Sequence, residues 1–362
     1  MKIVFSANTH WNIYNFRLDL VKSLIKKNNI YVVGRKDQSS QKLKKIGCKV
    51  IPLNIDLHST SLFGEFILFC KFFFIIKKIN PDIYLGFTIK PNLYGSIICN
   101  FLKIRNICNI TGLGKSFMYR GFLKFFIIFL YKLSIKKSSL VFFQNKDDLN
   151  YFKKNNLIQK NNYKLIPGSG IKNLNIQNKK QNLKKKYFTF LYVGRILKEK
   201  GVKELVFAFQ KIGHLKRKIK LVLVGEISKE MNLFAKKYFK NNIVHKKFTL
   251  NVKKYYESCE CFVIPSYREG LSRSLLEACS YGLPIIASNV PGCKELVKNS
   301  YNGFLFKPRN SQQIEKAMKK ILNLKNKSLN DMGKRSKSIV KYKYNVSNII
   351  RIYLKEIKNV TK

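Results

Sequence analysis

The sequence predicts an α/β protein made of two doubly wound, parallel-sheet domains in tandem. Three observations predict it. Short apolar runs alternate with longer helix-like segments from the first residue, that rhythm breaks in a polar stretch near the middle, and it then resumes. A chain of 362 residues accommodates two such domains, each large enough to bury its own core.

In the first half the strand candidates are residues 3–6, 30–34, 50–53, 83–86, 106–110 and 140–143, with helical patterns between them. The segment LNIQNKKQNLKKK, inside residues 173–186, has no core face and is the natural place for a boundary. The expected division is a first domain 1–170, a linker 171–186, a second domain 187–345 and a terminal helix 346–362 packing back on the first domain. In the second half strands are expected at 188–193, 221–224, 261–264 and 285–287, with helices at 202–211, 252–258 and 272–281. Two such domains facing each other leave a cleft at the carboxyl ends of both sheets, where open α/β sheets bind ligands.

Lys and Arg number 71 against 19 Asp and Glu, a formal charge of +52, so the partners should be anionic: nucleic acid, anionic lipid or phosphorylated substrates. A compositional bias toward Asn, Ile, Lys, Phe and Tyr is the competing source of the Lys excess. Lys is spread along the whole chain, and no helix-turn-helix, RNA-binding or zinc motif accompanies it, which argues against nucleic acid. The eight Cys are scattered and imply a reduced compartment. Cys259 and Cys261 are expected to be structural and to share one strand face, and no metal site is expected. The start, MKIVFSANTH, reads as a buried strand rather than a signal peptide. No uninterrupted run of about 18 apolar residues occurs. Residues 63–79 and 122–135 come close, interrupted by Lys71 and by Lys124 and Lys132; with Lys136, the second stretch reads either as an interfacial helix with separate basic and aromatic sides or as a core helix with a solvated Lys edge.

Two motifs carry chemistry. The strand 188–193 ends in Gly194-Arg195, followed by Lys200-Gly201 and a helix pattern; a glycine turn, two cations and a helix start form a diphosphate site. After the strand 261–264 comes Glu269-Gly-Leu-Ser-Arg-Ser-Leu-Leu-Glu277, with Glu269 on the strand-to-helix loop. Glu277 lies about two helical turns further on, amid apolar neighbours. A half-buried carboxylate needs a partner, and a ribose diol is a suitable one.

With these residues in view, nearly the whole chain resembles the retaining, GT-B-fold glycosyltransferases of family 4. The resemblance rests on Glu269 and Glu277 at E-x7-E spacing, VGRILKEKG around Arg195 and Lys200, IPGSGI at 166–171, and GLPIIAS-x-VPG-x-KE at 282–295. It implies that Arg195 and Lys200 hold the donor diphosphate and that Glu269 holds the donor sugar hydroxyls, these being the catalytic residues. It further implies that Gly194 and the amides of Gly270 and Leu271 line the phosphates, and that Glu277 holds the ribose. The first half resembles a narrower group that glycosylates undecaprenyl-diphosphate-linked sugars, bacillosaminyl-diphospho-undecaprenol N-acetylgalactosaminyltransferases among them. The carrying residues are ANTHWNIYNFRLDL at 7–20, TIKPNLYG at 88–95 and TGLGKSF at 111–117. By that resemblance Asn15, Arg17, Lys90, Asn92, Tyr94, Gly112 and Gly114 would bind the acceptor. The implied substrates are a nucleotide-diphosphate sugar, most simply a UDP-sugar, and a polyprenyl-diphosphate-linked saccharide. The implied location is peripheral, at an anionic membrane surface on the cytoplasmic face of the inner membrane. No cofactor is required; a soluble acceptor is the alternative, and a nucleic-acid-binding protein the remote one.

This chain departs from the family pattern in three places. Where many members have a Gly-Gly turn and a His, it has residues 8–14 and Thr111-Gly112, so no catalytic His is assigned, although His10 is a candidate. Gly170-Ile171-Lys172 replaces Gly-Val-Asp. Gly112-Leu-Gly-Lys-Ser imitates the end of a phosphate-binding loop, but the required first glycine is Asn109, so the cradle is incomplete.

Overall fold

A computed structural model of the chain describes residues 1–55, 62–113, 122–172, 186–213, 218–249 and 251–362. It divides into two compact units, 1–169 with 346–362, and 170–345.

The first unit's sheet is parallel throughout, in the order β3 (Lys49–Pro52), β2 (Asn29–Arg35), β1 (Lys2–Thr9), β4 (Ile83–Gly86), β5 (Arg105–Ile110), β6 (Leu140–Phe143), β7 (Tyr163–Leu165). Its strands are near-continuous apolar runs because helices cover both faces and bury alternate side chains on each. On one face pack α1 (His10–Leu24) and α13 (Val346–Thr361); on the other pack α3 (Leu62–Ile79), α4 (Ile89–Phe101) and α5 (Phe122–Ile135). Helix α13 presents Ile349, Tyr353 and Ile357 at helical spacing to the cluster of Phe5, Phe87 and Phe142. A buried polar network fastens it: the Tyr353 hydroxyl donates to Asn109 Oδ1, Asn109 Nδ2 donates to Gly86 O at 2.8 Å, and Asn92 Nδ2 donates to Asn109 O at 2.9 Å. Asn109 therefore lies inside β5 rather than on a phosphate-binding loop.

The second unit repeats the plan with the order β10 (Ile243–Lys246), β9 (Ile219–Val224), β8 (Phe188–Val193), β11 (Cys261–Ile264), β12 (Ile285–Ser288), β13 (Gly303–Phe306), all parallel. This is the doubly wound order in which the chain reverses direction between the two central strands, here β8 and β11. Helices α7 (Val202–Lys211) and α11 (Ser311–Asn323) serve the core on one face; α9 (Lys253–Ser258), α10 (Arg273–Ser280) and α12 (Asn326–Lys343) contribute to the other. Of the expected linker 171–186, residues 173–185 lie outside the described residues, whereas Ile171 belongs to the second unit, bridging to Asn345 and buried in its core.

Two local expectations are corrected. Cys259 follows α9 and packs on one side of the second sheet, while Cys261, in β11, packs on the other, because the first lies outside the strand and does not share its alternation. In α5 the basic and aromatic residues are not on opposite sides. Lys132 shares the outward side with Phe125, Phe126, Phe129 and Leu133, while Tyr131 and Ile135 face the core; the side chain of Lys124 lies outside the described residues.

Candidate functional site

The second unit places its charged residues at the carboxyl ends of β8 and β11, the switch point of its sheet. After β8 the chain passes through Gly194 and Arg195, makes one 3₁₀ turn at Lys198–Lys200, and enters α7 through Gly201. Gly201 has φ +67°, and a Cβ there would stand 2.1 Å from Pro265 O, so the turn that aims Lys200 is pressed on the end of β11 and needs glycine. After β11, Ser266 and Glu269 meet it: Lys200 Nζ lies 2.6 Å from Glu269 Oε1, and Ser266 Oγ donates to the same oxygen at 2.6 Å. Arg195 is exposed, its carbonyl held by the buried Tyr192 hydroxyl at 2.8 Å. Burial first and the Glu269 charge second push the Tyr192 phenol well above its usual range, so it stays a neutral donor.

Behind this group, α10 begins at Ser272, whose hydroxyl accepts from Leu275 N at 3.3 Å. The loop carrying Gly270 and Leu271 is braced by Gly292 at φ +78°, where a Cβ would lie 2.5 Å from Gly270 O. Glu277 is part-buried as expected, but its partners come from the protein. Arg273 Nε lies 2.9 Å from Oε1, and the Tyr256 hydroxyl donates to Oε2 at 3.1 Å. The need for a ribose to satisfy it is thereby corrected, since an i,i+4 arginine and a buried phenol already do so. Arg273 also donates to Gly170 O, and Tyr256 stacks on Tyr281 at 5.2 Å. Burial first, then Glu277, raises the Tyr256 phenol well above its usual range.

In the first unit the corresponding strand ends, β1 and β4, are tied by neutral groups. Asn8 N donates to Thr88 Oγ1 at 2.9 Å, and that hydroxyl donates to Asn8 Oδ1 at 2.9 Å. His10 is wholly buried; its ring nitrogens lie 2.8 Å from Ser40 Oγ and 3.3 Å from Ile51 O. Burial lowers its pKa below 6.5, outweighing the Ile51 carbonyl and Asp37, so it is a neutral structural residue.

The residues expected at the acceptor divide three ways. Lys90 and Tyr94 come together on one carboxylate of α3, Glu65, each at 2.5 Å. Asn15 and Gly112 are partly exposed, and Gly114 lies outside the described residues. Arg17 and Asn92 are corrections. Arg17 is 4% exposed, its guanidinium 4.8 Å from the centre of the Phe87 ring and 5.9 Å from that of Tyr353, and Asn92 is 2% exposed with its amide committed to β5. Both side chains hold the fold. Sequence reading missed Glu65, Ser266, Tyr256 and Arg273. Arg273 was legible as the i−4 neighbour of Glu277; the other three act from distant segments, which no local spacing reveals.

Among the described residues no cluster of His, Cys, Asp or Glu is arranged to hold a metal ion, and no helix is long and apolar enough to cross a membrane.

Two family models cover most of the chain: glycosyl transferase 4-like over residues 2–145, and glycosyl transferases group 1 over residues 175–339. The chain is 28% identical, over 99% of its length and 100% of the relative's, to the N,N'-diacetylbacillosaminyl-diphospho-undecaprenol alpha-1,3-N-acetylgalactosaminyltransferase of Campylobacter jejuni. It is 26% identical to the capsular polysaccharide biosynthesis glycosyltransferase CapM of Staphylococcus aureus, over 84% of this chain and 83% of that one. In fold it matches Anabaena HepE, crystallised with UDP and glucose, at a TM-score of 0.80 and 16% identity, over 99% of this chain and 100% of that one. With two Rossmann-like parallel-sheet domains and both halves matched, the chain belongs to the GT-B glycosyltransferases, group 1, with a family 4-like first domain.

Proposed function

We infer that the enzyme is a retaining, family 4 glycosyltransferase that moves a hexose or N-acetylhexosamine from a UDP-sugar to a polyprenyl-diphosphate-linked saccharide. It works at the cytoplasmic face of the inner membrane in cell-surface glycan assembly. The observation that carries the reading is the group Arg195, Lys200 and Glu269 at the switch point of β8 and β11.

A nucleoside diphosphate leaving the sugar gains negative charge at its terminal phosphate, and Arg195 and Lys200 supply fixed cations to meet it. Before donor arrives Lys200 is neutralised by Glu269; binding exchanges that pair for phosphate on Lys200 and sugar hydroxyls on Glu269. Gly194 and the amides of Gly270 and Leu271 line the phosphates, and Glu277, set by Arg273 and Tyr256, offers its carboxylate edge to the ribose. The anomeric C–O bond breaks with its electron pair going to the diphosphate. The acceptor hydroxyl attacks the same face, and its proton passes to the departing phosphate oxygen. Asn15, Lys90, Tyr94 and Gly112, on the first unit, meet the acceptor. The name of the Campylobacter relative, which shares the full length, supports a lipid-diphosphate acceptor.

The test is nucleotide release from a panel of UDP- and GDP-sugars, with and without a detergent-dispersed polyprenyl-diphosphate saccharide. Release that requires the lipid acceptor and disappears in Glu269→Ala is expected. Release with soluble acceptors alone removes the lipid from the reading, and undiminished release in Glu269→Ala removes the site.

A further inference from the structure

Tyr267 stands two residues before Glu269 on the loop after β11, and the chemistry derived for the site makes no use of it. Three segments of the second unit converge on this part-buried residue. Its hydroxyl donates to Glu204 Oε1, in the first turn of α7, at 2.5 Å. Its backbone N donates at 2.9 Å to the carbonyl of Glu199, on the 3₁₀ turn that carries Lys200. The guanidinium of Arg309, from the loop between β13 and α11, lies 4.7 Å from the centre of its ring. Arg309 takes φ +63°, a left-handed backbone that is costly for a residue with a Cβ, so the surrounding structure fixes it there. Burial first and the Glu204 bond second push the Tyr267 phenol above its usual range, so it stays a neutral donor. Among the described residues the second oxygen of Glu204 is buried without a partner, and the phenol is what anchors the carboxylate.

These contacts join the same two loops that the Lys200 and Glu269 pair joins. The ion pair itself cannot keep the loops in register through the reaction, because donor replaces it with phosphate on one partner and sugar hydroxyls on the other. A reacting geometry that tolerates only a fraction of an ångström of error needs a link the ligand does not displace. Tyr267 meets that requirement. Its partners Glu199 and Glu204 belong to the turn and helix that aim Lys200, while Arg309 holds the ring from a third segment.

We propose that Tyr267, clasped by Glu204 and Arg309, is a positioning residue that keeps the loops of Lys200 and Glu269 at a fixed spacing once their ion pair has opened. The proposal rests on the donor-site reading inferred above and deepens it by naming what preserves that site while donor enters.

The first experiment is amide hydrogen exchange of the full chain over segments 195–201 and 265–272, without ligand. Lys200→Ala opens the ion pair, and Tyr267→Phe keeps the ring but removes its hydrogen bond; each alone is expected to change exchange by less than about twofold. The two together are expected to raise it about tenfold or more in both segments. A double variant no faster than the product of the single effects overturns the proposal. The second experiment is steady-state nucleotide release with the donor and acceptor that the panel identifies. Tyr267→Phe and Glu204→Ala are each expected to lower kcat about tenfold with donor KM within about twofold of wild type. Glu204→Gln, which can still accept the phenol, is expected to keep kcat within about threefold. A rise in donor KM alone overturns the proposal in favour of direct contact between Tyr267 and donor. An unchanged kcat in Tyr267→Phe, with or without a lowered melting midpoint, overturns it in favour of plain support of the fold. If Lys200→Ala and Glu269→Ala keep full turnover, the donor-site reading falls, while the exchange measurements still decide whether the clasp holds the loops.

Discussion

The two units share one strand plan and use its switch point in opposite ways. In the second unit the loops after β8 and β11 bring ionised side chains together: Arg195, Lys200 and Glu269 stand at the strand ends, two of them in direct contact. In the first, the ends of β1 and β4 are joined by Asn8 and Thr88, the nearby His10 is neutral, and Arg17 is buried against aromatic rings. Its exposed aromatic side chains lie instead on the outer side of α3, at Phe63, Phe66 and Phe74. A doubly wound sheet supplies only the crevice; the side chains on its loops decide what that crevice can bind.

Lys200→Ala gives the largest expected effect on this contrast, a fall in kcat of roughly 10²- to 10³-fold with a smaller rise in donor KM, read by steady-state nucleotide release. A change confined to KM would make the second crevice a binding site only. Lys90→Ala in the first unit should act on acceptor KM and leave donor KM alone, and a shift in donor KM there would blur the division between the units. Gly201→Ala is expected to destabilise the second unit by about 1–3 kcal/mol, since the new Cβ meets Pro265 O in a left-handed backbone. Equilibrium unfolding measures it, and an unchanged midpoint would mean that the turn relaxes freely. In the first unit Tyr353→Phe removes one buried hydrogen bond and should cost about 1–2 kcal/mol.

The smallest effect is a pH dependence peculiar to the first unit. Because burial holds the folded pKa of His10 below 6.5, the unfolded chain binds more protons than the folded one just under that value. Its contribution to stability is complete above pH 6.5 and is lost as the pH falls toward the folded pKa. Urea midpoints of the first unit's unfolding, followed from pH 7.5 to 5.5, should decline; a flat or rising trend would place a charged histidine in that core.

Much of the fold was legible because parallel strands buried on both faces announce themselves as short apolar runs. The runs 83–86, 140–143, 188–193 and 261–264 coincide with β4, β6, β8 and β11. Strands β7, β10 and β13 escaped notice. Tyr163–Leu165 and Ile243–Lys246 are short edge segments with part-exposed positions, and Gly303–Phe306 opens on a glycine that only its neighbour in the sheet makes a strand residue, its Cα facing Ile285 O. The group at the ends of β8 and β11 was legible for a related reason: a glycine turn, a cation and a helix start are all local. Arg17 and Asn92 misled because polarity in sequence carries no direction, and both turn inward where rings and backbone groups receive them.

By itself the sequence determined the two doubly wound domains, the glycine turn and cations after residue 193, the acidic loop after residue 264, and the excess of positive charge, because each depends on neighbours within a few residues. Only the tertiary structure decided which charges are paired. Lys200 with Glu269, Lys90 with Glu65, and Arg195's carbonyl with Tyr192 depend on loops brought together by strand order. It likewise decided that Arg35, Lys36 and Lys71 gather around one recess. Electrostatic pairing is a property of distance in space, and distance along the chain does not contain it.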